Sequence, residues 1–171
     1  MNSKLKLGTA YHGNRILRHV EEDMRDIVNH NMNLVVHMFT HNDMDRHRSV
    51  LKDIISISKN EGLEVWVDNW GIDDGPGDKA YITSLIPQAA QEFSNGERCF
   101  RPCFNHPDFR DFTKSWVDAV AQAGGDILFW DEPHMLVKDN GVYACHCKIC
   151  QKLFEEKYNK KMPETLDSDV M

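Results

Sequence analysis

Hydrophobic positions in the first 70 residues switch repeatedly between two spacings. Residues 5–10 alternate between apolar and polar side chains, which predicts a short strand. Residues 33–39 and 63–68 are nearly continuous apolar runs, as expected of buried parallel strands. Residues 16–28 and 45–60 instead carry apolar side chains at helical spacing. This part of the chain therefore predicts the order strand, helix, strand, helix, strand.

The alternation continues after residues 69–78, where Gly, Asp and Pro predict a loop. Helical spacing returns at 107–123, a fourth apolar run follows at 126–130, and residues 148–157 predict a last helix. Strands that alternate with helices of this length are typical of right-handed βαβ units and a parallel sheet. No Gly-x-Gly-x-x-Gly follows the first strand, which argues against a dinucleotide-binding fold.

Chain length sets how much of a barrel we expect. A complete (β/α)8 barrel usually takes about 250 residues, whereas this chain has 171. The prediction is therefore a single α/β domain, 1–171, equivalent to the N-terminal half of a TIM barrel with about four βα units. Because four strands cannot close an eight-strand circumference, we expect self-association or pairing with a missing C-terminal half-barrel.

Charge and hydropathy narrow the classes of partner. The net charge of −7 and pI near 5.7, with basic residues scattered among acidic ones, argue against a nucleic-acid partner. No apolar run approaches the roughly 20 residues that cross a bilayer, and the first residues lack the apolar core of a secretory signal. The sequence thus predicts a soluble, cytoplasmic chain with no membrane partner.

The cysteines favour a metal site over a disulfide framework. Their number is odd, and three of them form a C-x-C-x-x-C pattern within residues 143–163, which we interpret as a zinc-binding turn followed by a helix. The five are Cys99, Cys103, Cys145, Cys147 and Cys150. Zinc favours four ligands, with thiolates at about 2.3 Å. The residues alone leave the fourth ligand open among Cys103, Cys99, His134 and His146.

Polar and aromatic residues cluster where the predicted strands end. In parallel α/β folds the binding and catalytic residues lie at the C-terminal strand ends. Glu132 stands out because a buried strand delivers it, with Asp131, directly to that edge, which predicts a catalytic or binding role. The other candidates there, for substrate binding, are Tyr11, His12, His37, Asp68, Asn69, Trp70 and His134.

Three of these segments, taken in order, resemble a known group of enzymes. The chain reads Cys-Phe-Asn-His-Pro-Asp-Phe-Arg at 103–110, Asp-Glu-Pro-His at 131–134 and C-x-C-x-x-C at 145–150, with Phe154 in the helix that follows. This order resembles the clan A glycoside hydrolases, which include the family 42 β-galactosidases. The ending at 158–163 is similar to hypothetical glycosidase-like barrel proteins.

The resemblance implies a fold, a metal and a reaction. It implies that Cys103, Cys145, Cys147 and Cys150 hold a structural zinc and that Glu132 is the general acid/base of a retaining O-glycosidase acting on carbohydrate. Asp131 stands where the family 42 enzymes have Asn, which changes the contact to the sugar. The nucleophile of this clan follows the seventh strand, so no residue here is assigned to it, and we expect this chain to be inactive alone.

Two other interpretations compete with a glycosidase fragment. One is a non-catalytic, zinc-stabilised half-barrel that serves as a binding or structural module. The other is a metal hydrolase that uses His12, His37, His41 and Asp68, although no H-E-x-x-H pattern supports it.

Overall fold

The computed structural model describes residues 5–12, 15–70, 81–130 and 135–166. The chain divides into two compact units. The first, which we call the sheet unit, contains Met1–Trp70 and Lys114–Asp131. The second, which we call the cysteine unit, contains Gly71–Thr113 and Glu132–Met171.

Helices and strands follow the predicted order, with a short helix (His41–Arg46) and two short strands (Ala90–Glu92 and Arg98–Pro102) in addition. In chain order they are β1 (Gly8–Tyr11), α1 (Leu17–Asn29), β2 (Leu34–Met38), α2 (His41–Arg46), α3 (Arg48–Asn60), β3 (Glu64–Asp68), β4 (Ala90–Glu92), β5 (Arg98–Pro102), α4 (Pro107–Ala123), β6 (Ile127–Phe129) and α5 (Lys148–Tyr158). Short 3-10 turns cover Ile82–Ser84 and Pro87–Ala89. None of the helices in the described ranges is long and apolar enough to cross a membrane.

The sheet unit is built on a parallel sheet. Among the described residues it has four strands in the order β1-β2-β3-β6, and each neighbouring pair is parallel. Tyr11 lies opposite His37, which in turn lies opposite Val67. This arrangement confirms the predicted α/β class and parallel βαβ order. Closure into a TIM barrel stays a prediction.

One face of this sheet carries the core of the unit. Val35, Val65 and Val67 are fully buried there, in register across neighbouring strands. From the helices, α1 contributes Val20 and Met24, α3 contributes Leu51 and Ile55, and α4 contributes Trp116 and Val120. The Trp116 indole donates a 2.8 Å hydrogen bond to the Phe39 carbonyl, so this large side chain is buried with its polar atom satisfied.

The predicted helix at 45–60 is two helices. A capping box starts α2 early, because the Thr40 hydroxyl accepts from the Asp43 backbone while the Asp43 carboxylate accepts from the Thr40 backbone. The backbone at His47 then leaves the helical region and α3 begins at the next residue. The sequence of α2 is His-Asn-Asp-Met-Asp-Arg, which is almost entirely polar. Apolar periodicity therefore could not predict this helix as separate from α3.

The hairpin formed by β4 and β5 in the cysteine unit was missed. These strands pair antiparallel, and the turn between them has Gly96 at φ +85°, a conformation that glycine adopts without strain. The Asn95-Gly96 pair in this turn is a sequence signal for a hairpin. The flanking strands are too short for an alternation of apolar and polar side chains to be visible.

Strand β6 leaves an apolar edge open in the described part of the sheet. It pairs with β3, and its side chains Ile127, Leu128 and Phe129 are 37%, 42% and 39% exposed. The prediction that the strand before Asp131 and Glu132 is buried is therefore wrong. An edge strand with unpaired backbone groups and apolar side chains is a template for pairing with another chain.

We therefore predict that the purified chain self-associates through this edge. A Leu128→Lys variant should be more monomeric, because charge on an edge strand opposes pairing. The measurement is the average mass by light scattering across a concentration series. Leu153→Lys on α5 is the matched control, since Leu153 is 43% exposed. A wild-type chain that remains monomeric at every concentration would contradict the prediction.

Candidate metal centre

The cysteine unit places its cysteines on two segments fixed by backbone hydrogen bonds. Cys103 follows β5 directly, and its N–H donates to the Ala89 carbonyl at 2.7 Å. The second segment lies beside β4, where the His146 N–H donates to the Glu92 carbonyl at 2.7 Å. These bonds position Cys103 and the C-x-C turn independently of any metal.

The start of α5 positions Cys147 and Cys150. Cys147 is the N-cap residue of α5, with extended backbone angles, and Cys150 lies in the first turn. Residues three positions apart are neighbours on a helix surface. Helix α5 ends at Tyr158, where Asn159 is the C-cap residue in the left-handed conformation.

Four sulfur atoms converge in a geometry that suits a metal ion. Those of Cys103, Cys145, Cys147 and Cys150 all lie within 4.8 Å of one another. Cys103 Sγ is 3.5 Å from Cys150 Sγ and 3.7 Å from Cys147 Sγ. A tetrahedral ion with metal–sulfur bonds of about 2.3 Å requires sulfurs about 3.8 Å apart. The described cysteines are all free, so the cluster is not a pair of disulfides.

Of the four alternatives for the fourth ligand, the structure brings Cys103 to the other three sulfurs. Cys99 packs instead in an apolar cluster with Phe93, Val142 and Ala144, where it acts as a small hydrophobic residue. His146 contacts Gln151 through its Nδ1 atom. His134 lies outside the described residues.

Electrostatics favour the thiolate form at two of the four cysteines, Cys147 and Cys150, and oppose it at Cys103 and Cys145, whose pKa values are raised. Cys103, Cys145 and Cys150 are buried, with Cys103 1% exposed, while Cys147 is partly exposed. Hydrogen bonds from the thiols of Cys103 and then Cys145 lower the pKa of Cys147, and they lower the pKa of Cys150 to about 7. The pKa of Cys103 is raised, first by its hydrogen bond with Cys145. The N-terminus of α5 adds a partial positive charge beside these sulfurs.

The sheet unit holds the described members of the predicted substrate-binding set at one edge. Tyr11 and His37 form an edge-to-face pair with ring centres 5.5 Å apart, and the Tyr11 hydroxyl donates to Asp23 at 2.6 Å. His12 and Trp70 form a second such pair at 5.4 Å. These contacts and the parallel register place all four rings at the C-terminal strand ends.

These strand-end residues differ in accessibility. His12 and Trp70 are exposed, whereas Asp68 and Asn69 are buried. His37 is also buried, and its Nε2 is 2.8 Å from the Ser58 hydroxyl. The exposed pair and the half-buried Tyr11 are therefore the members of the set best placed to meet a ligand. The predicted catalytic residues Asp131 and Glu132, and His134, lie outside the described residues.

Sequence reasoning missed an ion pair beside this edge. Arg15 forms a two-pronged interaction with the buried Asp43 carboxylate, through Nε at 2.7 Å and through its terminal nitrogen. Both residues line a cavity of about 20 Å³ together with Tyr11, His37 and His47, which is room for about one water molecule. The Thr-x-x-Asp pattern after β2 indicates the capping box that contains Asp43, but it gives no signal that Arg15 is the partner of Asp43.

The metal-hydrolase interpretation finds no support in the sheet unit. Across residues 5–12, 15–70, 81–130 and 135–166, the four cysteines are the one group of three or more His, Cys, Asp or Glu residues close enough to hold an ion. His12, His37, His41 and Asp68 do not form such a group among these residues.

Comparison with known proteins adds no assignment. No protein-family model matches the chain, and no curated protein matches it either.

We predict a pH dependence of stability that arises from His37. Burial lowers its pKa from 6.5 to about 4, so the folded state resists protonation that the unfolded state accepts. Above pH 6.5 His37 is neutral in both states, and the free energy of unfolding has its full value. As the pH falls from 6.5 to about 4, the unfolded state binds a proton that the folded state does not, and the free energy of unfolding decreases by about 3 kcal/mol.

The measurement is the urea midpoint of the wild type and of His37→Asn between these pH values. The variant should start less stable, because it loses the contact with Ser58, and should depend less steeply on pH. His30→Asn, at an exposed position, is the control. Parallel pH profiles of wild type and His37→Asn would contradict the assignment.

Proposed function

We propose that the chain binds one structural zinc ion through Cys103, Cys145, Cys147 and Cys150. The observation that carries this proposal is the separation of their sulfurs, which suits tetrahedral zinc. Soft thiolate ligands favour zinc over magnesium, calcium or manganese. Four protein ligands leave no open position for a water molecule or a substrate, so the ion's role is to stabilise the fold.

The distance along the chain explains why such an ion matters. Cys103 is separated from Cys147 and Cys150 by 44 and 47 residues. Linking such distant segments restricts the unfolded chain strongly. Structural zinc in small domains supplies on the order of 10 kcal/mol or more of apparent binding free energy. The bound ion would fasten the end of the hairpin to the start of α5.

We predict that metal removal loosens the cysteine unit. The purified chain should carry one zinc per molecule by elemental analysis. Chelation should then increase amide hydrogen exchange most strongly around residues 143–158, because that segment loses its link to Cys103. Cys150→Ala should show the same exchange without chelator, since three thiolates bind zinc more weakly than four.

Cys99→Ala is the matched control for this experiment. Cys99 is buried in the same unit but packs in the apolar cluster, so this variant should keep one zinc per chain. A wild-type chain without stoichiometric metal would contradict the proposal. Equal metal loss in both variants would contradict the ligand assignment.

We also propose that the strand-end edge of the sheet unit binds carbohydrate, as a glycoside-hydrolase-like barrel fragment would. This second candidate is favoured by the rings of Tyr11, His12 and Trp70 beside polar groups at one edge. Flat aromatic faces combined with hydrogen-bonding groups suit sugars, which have apolar faces and hydroxyl rims. The resemblance to clan A glycoside hydrolases, and not a contact in the described residues, is the ground for proposing Glu132 as general acid toward the leaving oxygen and then as base toward water.

A retaining mechanism also needs an opposed carboxylate at about 5–5.5 Å. Asp68 is 2% exposed in β3 and has no assigned role as nucleophile. The fragment would therefore bind sugar without turning it over. The alternative to a glycoside-hydrolase-like fragment is a non-catalytic module in which zinc binding alone maintains the fold.

We predict that the 171-residue chain shows no glycosidase turnover that depends on Glu132. If a longer natural form with a complete barrel exists, its Glu132→Gln variant should lose about 10²- to 10⁴-fold in rate, because general acid/base assistance is removed. The assay uses aryl glycosides with both forms. Glu21→Gln, on the exposed side of α1, is the control.

Two outcomes would contradict this assignment. Robust turnover by the short chain that vanishes in Glu132→Gln would show that the fragment is sufficient for catalysis. Full activity of a longer form without Glu132 would show that Glu132 has no catalytic role.

Sugar binding is tested separately. Sugar is titrated into the wild type and into Trp70→Ala, and the tryptophan fluorescence of each is measured.

A further inference from the structure

We propose that Asn105 is a positioning residue of the metal centre, whose side-chain amide donates a hydrogen bond to the Cys150 sulfur and holds it in place for the ion. This inference rests on the proposed zinc site. Asn105 Nδ2 lies 3.4 Å from Cys150 Sγ, and the contact is partly buried. It joins positions 45 residues apart in the sequence.

The turn that carries Asn105 also carries a ligand. Cys103 and Asn105 are separated by one residue, and the turn is closed by a hydrogen bond from the His106 N–H to the Cys103 carbonyl at 2.9 Å. The next turn is fixed by the Arg110 N–H, which donates to the His106 carbonyl at 3.0 Å. One rigid segment therefore presents a sulfur to the ion and an amide donor to the sulfur of Cys150.

Charge explains why such a donor is needed. Four thiolates around a divalent cation leave a net charge of −2 in a largely buried site, and N–H donors to sulfur disperse that charge. The Cys147 backbone N–H favours the thiolate form of Cys145 by lowering its pKa, and the Cys150 backbone N–H does the same for Cys147. The Cys150 sulfur accepts from Asn105.

Asn105 differs from the two backbone donors because it belongs to a side chain. Substitution can remove its hydrogen bond without changing the main chain. Asp has nearly the same shape as Asn, but it places a negatively charged acceptor against the thiolate. Leu removes the donor without adding charge, and Gln keeps the amide on a longer side chain.

The test measures metal binding by the full chain rather than any activity. Zinc affinity is obtained by competition with a chromophoric chelator for the wild type and for Asn105→Asp, Asn105→Leu and Asn105→Gln. We expect affinity about 10- to 100-fold weaker for Asn105→Asp, a smaller loss for Asn105→Leu and partial recovery for Asn105→Gln, as is typical when a hydrogen bond to a ligand is lost.

Cobalt supplies a second readout that a purely structural role would leave unchanged. In the Co²⁺-loaded chain, thiolate-to-metal charge-transfer bands report the electron density on the sulfurs. Loss of a hydrogen bond to one sulfur should shift these bands in Asn105→Leu while the visible bands still indicate tetrahedral coordination. Because Asn105→Leu adds no charge, it keeps the test decisive if Asn105→Asp fails to fold.

Asn95→Asp is the matched control. It adds the same charge in the β4–β5 turn, where the Asn95 side-chain oxygen accepts from the Glu97 N–H and a carboxylate retains that acceptor. Wild-type zinc affinity and unshifted cobalt bands in Asn105→Leu would overturn the inference, as would an equal loss in Asn95→Asp. A wild-type chain that binds no zinc would overturn the proposed function itself, which is a distinguishable result.

Discussion

Convergence of four sulfurs within 4.8 Å is the constraint on which the cysteine unit depends. The hairpin and the turn before α5 are short segments with a small apolar cluster around Phe93, Cys99, Val142 and Ala144. Ile82, Phe109 and Tyr143 are also buried in this unit, and a metal cross-link between the four sulfurs would add to that apolar burial. Backbone hydrogen bonds hold Cys103 at the end of β5 and the Cys145–Cys147 turn beside β4, so the sulfurs converge where these segments meet.

The sheet unit depends on a different kind of interaction. Its stability comes from apolar side chains on consecutive parallel strands, where Val35, Val65 and Val67 exclude water beneath α1, α3 and α4. Parallel pairing has a functional consequence as well, because it brings the carboxyl ends of the strands to one edge. Residues distant in sequence, such as Tyr11 and His37, meet there without any dedicated loop.

How far the sequence predicts this structure depends on the range of the interaction involved. Periodic apolar positions predicted α4 to the residue, because the Pro107 start and the glycines after Ala123 are local signals. The three-cysteine turn likewise predicted most of the metal centre. The fourth ligand stayed open among four candidates, since spacing along the chain does not reveal which remote residue folds back. Family resemblance, rather than residue spacing, indicated Cys103.

The missed features share a physical cause. Strand β4 has three residues, too few for alternation to be visible, and its pairing with β5 is set by a turn. The split at His47 and the Arg15–Asp43 pair arise from polar contacts that satisfy backbone or charged groups. Such contacts follow from three-dimensional placement, which hydrophobic periodicity does not encode.

The metal centre and the strand-end edge are independent as functional hypotheses. The sulfurs all belong to the cysteine unit, whereas Tyr11, His12 and Trp70 belong to the sheet unit. A closed four-sulfur site offers no position for substrate, so zinc binding neither requires nor implies catalysis. Conversely, a sugar-binding edge needs the parallel register and exposed rings, neither of which uses the ion. Metal binding is therefore decided by Asn105 and the cysteines, and sugar binding by Trp70 and its neighbours, so each can be tested without the other.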